Sequence, residues 1–131
     1  MLEKYPKDVK LVYKNFPLQS HRFAVKAAQA AFAAELQGKF REFHERLFEN
    51  YNVLDDEKIN EIARGLDLDM EKLARDMNSP AIQNLVARDV NEGRRIGVRG
   101  IPTILINGKI TDRRTLADLQ AVVEEELKAA R

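Results

Sequence analysis

Two histidines and no cysteine bound the chemistry that this 131-residue sequence can do. A thiolate nucleophile, a disulfide and a cysteine-ligated metal are all excluded, because each needs a cysteine sulfur. His44 lies between Phe43 and Leu47 in a helical pattern. Imidazole suits a general base, yet no Ser or carboxylate stands at a spacing that fixes a partner. A partly buried histidine on a helix surface is the favoured reading. His21 follows Ser20 and reads as a turn residue at a helix start. The two histidines, far apart and with no third ligand pattern, do not make a zinc site. Ser20 and Ser79 both read as helix caps, not nucleophiles.

Other clusters fare no better. Gly93-x-x-x-Gly97-x-x-Gly100 leaves a helix and opens a strand. A dinucleotide fingerprint has the opposite order. Arg94, Arg95, Arg99, Arg113 and Arg114 would attract an anion if gathered, but Asp89, Glu92 and Asp112 lie among them, which favours a solvated, mixed-charge surface. Glu124-Glu125-Glu126 is read as a solvated helix face interrupted by Leu127, not as a metal cluster. Neither metal nor cofactor is called for.

The stretch around which the rest is organised runs from Gly97 to Lys109. Thr103 to Ile106 is short, apolar and largely β-branched, so it predicts a strand buried on both faces. Asn107-Gly108 is a strong hairpin signal, since a type I′ turn needs φ > 0 at both central positions. Lys109-Ile110-Thr111 predicts a brief edge strand. Pro102 cannot donate to a ladder and belongs at the strand's start. Gly97 and Gly100 free the backbone before it. The Ile101–Pro102 bond is a candidate cis peptide, against a base rate of about 5–6% for such bonds.

Before this stretch, Leu2 to Tyr5 reads as a last helical turn stopped by Pro6. Val9, Leu11 and Tyr13 alternate with Lys10, Val12 and Lys14, which is strand periodicity. Ser20 is expected to cap an alanine-rich helix to about Gln37, with Phe23, Ala27, Ala30, Ala31 and Ala34 on one face. A second helix is expected to bury Phe40, Phe43, Leu47 and Phe48. Further helices are expected after Asp55 or Asp56, ending at Gly65, after Asp69, and after Ser79-Pro80, the last running towards Gly97. Asp112 is expected to cap a terminal helix with Leu116, Leu119, Val122, Val123 and Leu127 inside.

Length predicts one domain with a helical insertion. Net charge is +1, so an electrostatic nucleic-acid binder is disfavoured. No apolar run approaches the ~18 residues of a membrane span, and the first residues contain no apolar stretch of the kind a secretory signal needs.

Gly-Val-Arg-Gly-Ile-Pro-Thr-Ile-Leu-Ile-Asn-Gly (97–108) resembles the cis-proline loop and following hairpin of DsbA-type thioredoxin-fold disulfide oxidoreductases. Asp8 to Leu18 is similar to that family's second strand and exit turn. His21-x-Phe23-Ala24 and Gln37-Gly38-Lys39-Phe40-x-x-Phe43-His44-x-x-Leu47-Phe48 resemble its helical insertion. The resemblance implies an α/β, thioredoxin-like fold, incomplete, with residues 1–18 and 97–131 in the thioredoxin-like part and 19–96 in the inserted helical domain and connecting helix. It implies thiol–disulfide exchange for the parent family, through a Cys-x-x-Cys expected upstream of Asp8. First strand, motif and most of the first helix are expected to be absent, which leaves the chain catalytically silent.

By the same resemblance, Gly100, Ile101 and Pro102 would offer backbone groups to an extended peptide or protein substrate; a purely structural turn is the other reading. The alternative function is a peptide-binding or self-assembly module using the Pro102 loop or an exposed core edge. A homodimer is expected, since a sheet without its central strand would bare apolar surface. The resemblance implies an extracytoplasmic or periplasmic setting, with a cytoplasmic one left open.

Overall fold

The computed structural model describes residues 1–18 and 20–131, which divide into two compact units. Asn15–Gly97 forms the helical unit. Its helices are α1 (Ala24–Glu35), α2 (Phe40–Glu49), α3 (Asp56–Gly65), α4 (Met70–Met77) and α5 (Pro80–Arg95).

The helical unit is built around α1, which packs against each of the other four helices. Alanine is the strongest helix former, and its lone methyl lets helix backbones approach closely. Ala27, Ala28, Ala30, Ala31, Ala33 and Ala34 are all buried. Burial therefore reaches beyond the expected single face, because neighbours lie on several sides. Larger side chains come from the surrounding helices: Phe43, Ile59 and Leu73 are the largest that are fully enclosed.

Phe48 departs from expectation and is 66% exposed. Its ridge is Phe40–His44–Phe48, whereas the core ridge of α2 is Phe43–Leu47, one residue or ~100° away.

Helix boundaries follow local chemistry. Asp55 accepts the Lys58 N–H at 2.7 Å, Asp69 that of Lys72 at 3.0 Å, and Ser79 that of Ile82 at 3.3 Å, with Pro80 at the first helical position. Ser20 does not cap α1; Phe23 occupies that position and no side chain caps it. After α1 the Lys39 N–H donates to Ala34 C=O and the Gly38 N–H to Glu35 C=O, with Gly38 at φ 74°. The same pair of bonds closes α3, from Leu68 to Ala63 and from Asp67 to Arg64. There the left-handed residue is Asp67, at φ 56°, instead of Gly65.

Met1–Lys14 and Val98–Arg131 form the other unit, with β1 (Ile104–Ile106), β2 (Lys109–Thr111) and α6 (Leu116–Ala130). The strands pair antiparallel as Ile104↔Thr111, Leu105↔Ile110 and Ile106↔Lys109. Asn107 at φ 49° and Gly108 at φ 79° give the turn its two positive φ values. β1 is half-buried instead of buried on both faces, because β2 is its one ladder partner among the described residues.

Residues 9–15 form no strand among the described residues, despite their alternation. Periodicity gives a segment the ability to pair, but a strand exists through its ladder. Leu11, Val12 and Tyr13 are 55%, 58% and 54% exposed. Residues 1–5 make a turn closed by Tyr5 N–H to Met1 C=O at 3.1 Å.

α6 starts later than expected. Thr111 Oγ1 accepts the Arg113 N–H at 3.2 Å, holding Asp112 in the turn, and Thr115 becomes the cap by accepting from Asp118 N–H at 3.2 Å. Leu116 is consequently exposed, while Val123 is buried and Leu119, Val122 and Leu127 are half-buried.

Candidate functional site: the Pro102 loop

Gly100, Ile101 and Pro102 lie between the helical unit's last residue, Gly97, and β1. The Ile101–Pro102 peptide bond is cis. Two side chains hold the loop from either side of Ile101. Thr103 Oγ1 donates to the Gly100 carbonyl at 2.6 Å. Arg114 Nη1 donates to the Pro102 carbonyl at 2.7 Å. A charged donor on a carbonyl is among the stronger hydrogen bonds.

Ile101 is left between these two anchors. Among the described residues its N–H and C=O have no partner, and its side chain is 56% exposed. The loop thus leaves one backbone donor, one backbone acceptor and an apolar side chain unengaged.

Arg114 was absent from the sequence-derived site. The hairpin register carries the signal: continued past Ile104↔Thr111, it brings residues 101 and 102 opposite 114 and 113.

Two carboxylates of the glutamate run, Glu124 and Glu126, make side-chain hydrogen bonds within the unit, where a solvated face was expected. Glu124 accepts from Tyr5 Oη at 2.6 Å and Lys4 Nζ at 2.9 Å, which pulls its carboxyl below the usual range, the tyrosine hydrogen bond contributing most. The hydrogen bond to Glu124, joined by that to Tyr5, raises Lys4 to about 12. Glu126 accepts from Asn107 Nδ2 and Lys109 Nζ, each at 3.1 Å, and these bonds lower its pKa, Asn107 first. Hairpin and N-terminal turn are tied to α6 by these two carboxylates.

His44 stacks on Phe40, ring centroids 5.4 Å apart, and meets the tilted ring of Phe48 at 4.8 Å. Burial pushes its pKa below the ordinary value, against a smaller upward pull from Glu45. His21 is exposed and accepts the Ala24 N–H through its carbonyl, as a turn residue does. Among the described residues no three His, Cys, Asp or Glu side chains gather as a metal site, and no helix is long and apolar enough to cross a membrane.

A hairpin and a helix joined to a helical unit by a proline loop define an α/β protein of the thioredoxin-like class. Residues 1–124 match the model of the DSBA-like thioredoxin domain, and the chain belongs to that family. It is similar in structure to a thioredoxin-like oxidoreductase from Silicibacter pomeroyi DSS-3, with a TM-score of 0.82, 28% identity, and coverage of 97% of this chain and 73% of that one. ScsC from Proteus mirabilis, in a compact conformation, gives a TM-score of 0.82 at 23% identity, covering 99% of this chain and 72% of that one; at that identity the likeness concerns the fold alone.

Curated relatives include the Na(+)/H(+) antiporters NhaA 3 of Salinispora tropica, 32% identical over 103 residues, and NhaA of Herminiimonas arsenicoxydans, 30% identical over 102 residues. Each match takes in 78% of this chain, and the chain spans 16% of the length of either antiporter.

Proposed function

We propose that this chain is a DsbA-like domain that binds an extended peptide at the Pro102 loop and carries out no thiol–disulfide exchange with its own residues. The observation that carries the reading is the open backbone of Ile101, flanked by the carbonyls of Gly100 and Pro102, which are already occupied by Thr103 and Arg114. An incoming main chain finds one donor–acceptor pair at a defined place, which gives it a register. Exchange requires a thiolate that attacks a disulfide through a mixed disulfide, and this sequence supplies no sulfur for that step. The family likeness favours an extracytoplasmic setting.

The test has two arms. Insulin reduction and dithiol-peptide oxidation should stay at background; turnover that survives removal of contaminating oxidoreductases would overturn the silent reading. Titration of the 15N-labelled chain with an extended peptide should shift the amides of Gly100, Ile101 and Thr103; no shift there at millimolar peptide would overturn the binding reading.

A second reading rests on Leu11 and Val12, exposed on a segment with strand periodicity that joins no ladder among the described residues. Pairing of this segment with a second copy would make a two-fold dimer. Sedimentation equilibrium at micromolar concentration decides it: a 15.0 kDa species with no self-association would rule the dimer out.

A further inference from the structure

The helical unit carries a groove of about 280 Å³ between α1 and α5. Its apolar lining includes Val25 from α1 and Val86 and Val90 from α5. Gln29 joins Val25 one turn along α1, while Gln83, Asn91 and Arg94 share the α5 face with the two valines. Positions 83, 86, 90, 91 and 94 recur at helical spacing, so they line one side of α5 over about 16 Å at ~1.5 Å per residue.

The polar groups of this groove are unengaged. Among the described residues, the side chains of Gln29, Gln83, Asn91 and Arg94 make no hydrogen bond or ion pair with the protein. Each carboxamide carries both donors and an acceptor. A polypeptide main chain, with donors and acceptors alternating along its length, matches a row of three such carboxamides. An acyl chain offers acceptors at its head alone and would leave the amide oxygens unpaired. The guanidinium at the end of the row adds a preference for a carboxylate there. The length suits about five extended residues at ~3.3 Å each.

We propose that the α1–α5 groove binds a short extended peptide, its main chain held by Gln29, Gln83 and Asn91 and its carboxylate by Arg94. The groove shares no residue with the Pro102 loop, and the proposal stands without that reading.

The test is titration of the full 15N-labelled chain with acetyl-Val-Ala-Val-Ala bearing a free carboxylate, with the same peptide amidated, and with octanoate. The carboxylate peptide should shift the amides of Val25, Gln29, Val86, Val90 and Asn91 saturably. The amidated form should bind about fivefold more weakly, as the loss of one exposed charge pair gives. Arg94→Gln should erase that difference, and Asn91→Ala should weaken both peptides alike; both positions are exposed, so the fold should be retained. The proposal is overturned if octanoate binds as tightly with the same shifts, or if Arg94→Gln leaves the carboxylate preference intact. Shifts confined to residues 100–103, no shifts at millimolar peptide, or groove shifts on mere concentration of the protein, which would signal a second copy, overturn it equally.

Discussion

Arg114 donates a hydrogen bond to the carbonyl of Pro102 across the mouth of the hairpin, at 2.7 Å. The bond fixes the downstream side of Ile101, as Thr103 fixes the upstream side through Gly100. Replacing Arg114 with Met keeps most of the apolar stem and removes the donor. Because the site is exposed, global stability should change by no more than about 1 kcal/mol. Peptide-induced shifts at Ile101 should weaken, and a titration as strong as that of the parent chain would show that the loop needs no such anchor.

Phe43 is fully enclosed in the core of the helical unit. Phe43→Ala should cost about 3–5 kcal/mol. Urea denaturation followed by circular dichroism measures this, and a loss below ~1.5 kcal/mol would mean that the core collapses around the cavity.

Glu124 and Glu126 have folded-state pKa values below the ordinary 4.5. The unfolded chain therefore binds protons first as pH falls. The stability these carboxylates contribute is present above 4.5 and is lost as pH drops through their lower folded values. Melting temperature should fall below pH 4.5 less steeply in Glu124→Gln and Glu126→Gln than in the parent chain. Lys4 works at the other end: raised to about 12 from 10.5, it contributes below 10.5 and ceases to as pH rises through 12.

His44 shows the opposite sense for a base. Its folded pKa is below 6.5, since burial against two phenylalanine rings disfavours the imidazolium. Stability from this position is complete above 6.5 and declines as pH falls below it, because the unfolded chain takes up the proton more readily. His44→Gln should flatten the stability profile below pH 6.5, and an NMR titration of the ring should give a midpoint under 6.5. A midpoint at or above 6.5 would contradict the burial account.

The sequence made the helices and the hairpin legible where a residue type has one use. Asn107-Gly108 encodes a type I′ turn, and Asp55, Asp69 and Ser79-Pro80 encode helix starts, because each solves a local hydrogen-bonding or φ problem that needs no distant partner. The proline loop was legible through its neighbours, Gly100 before it and the hairpin after it. Arg114 was not, since its role arises only once the hairpin has folded. Thr115 outcompeted Asp112 as a cap through a bond between Thr111 and Arg113 that no propensity scale records. The segment around Leu11 illustrates the general limit: alternation states what could pair and is silent about what does. Phe48 was misplaced by one ridge because apolar character on both flanks of α2 blurred its face.

The alanines of α1 place an unusual constraint on how this helical unit can evolve. In most cores the danger is loss, a large side chain shaved to a small one. Here Ala30, Ala33 and Ala34 are wholly enclosed and already near the minimum size. Apart from a change to glycine, which costs a helix interior about 1 kcal/mol, drift at these positions adds atoms, and added methylene groups must push a neighbouring helix aside, at about 1–3 kcal/mol where the packing is tight. The residues with the least chemistry are thus the ones with the least latitude, and a mutational scan should find its deepest intolerance along a stretch with almost no side chain to lose.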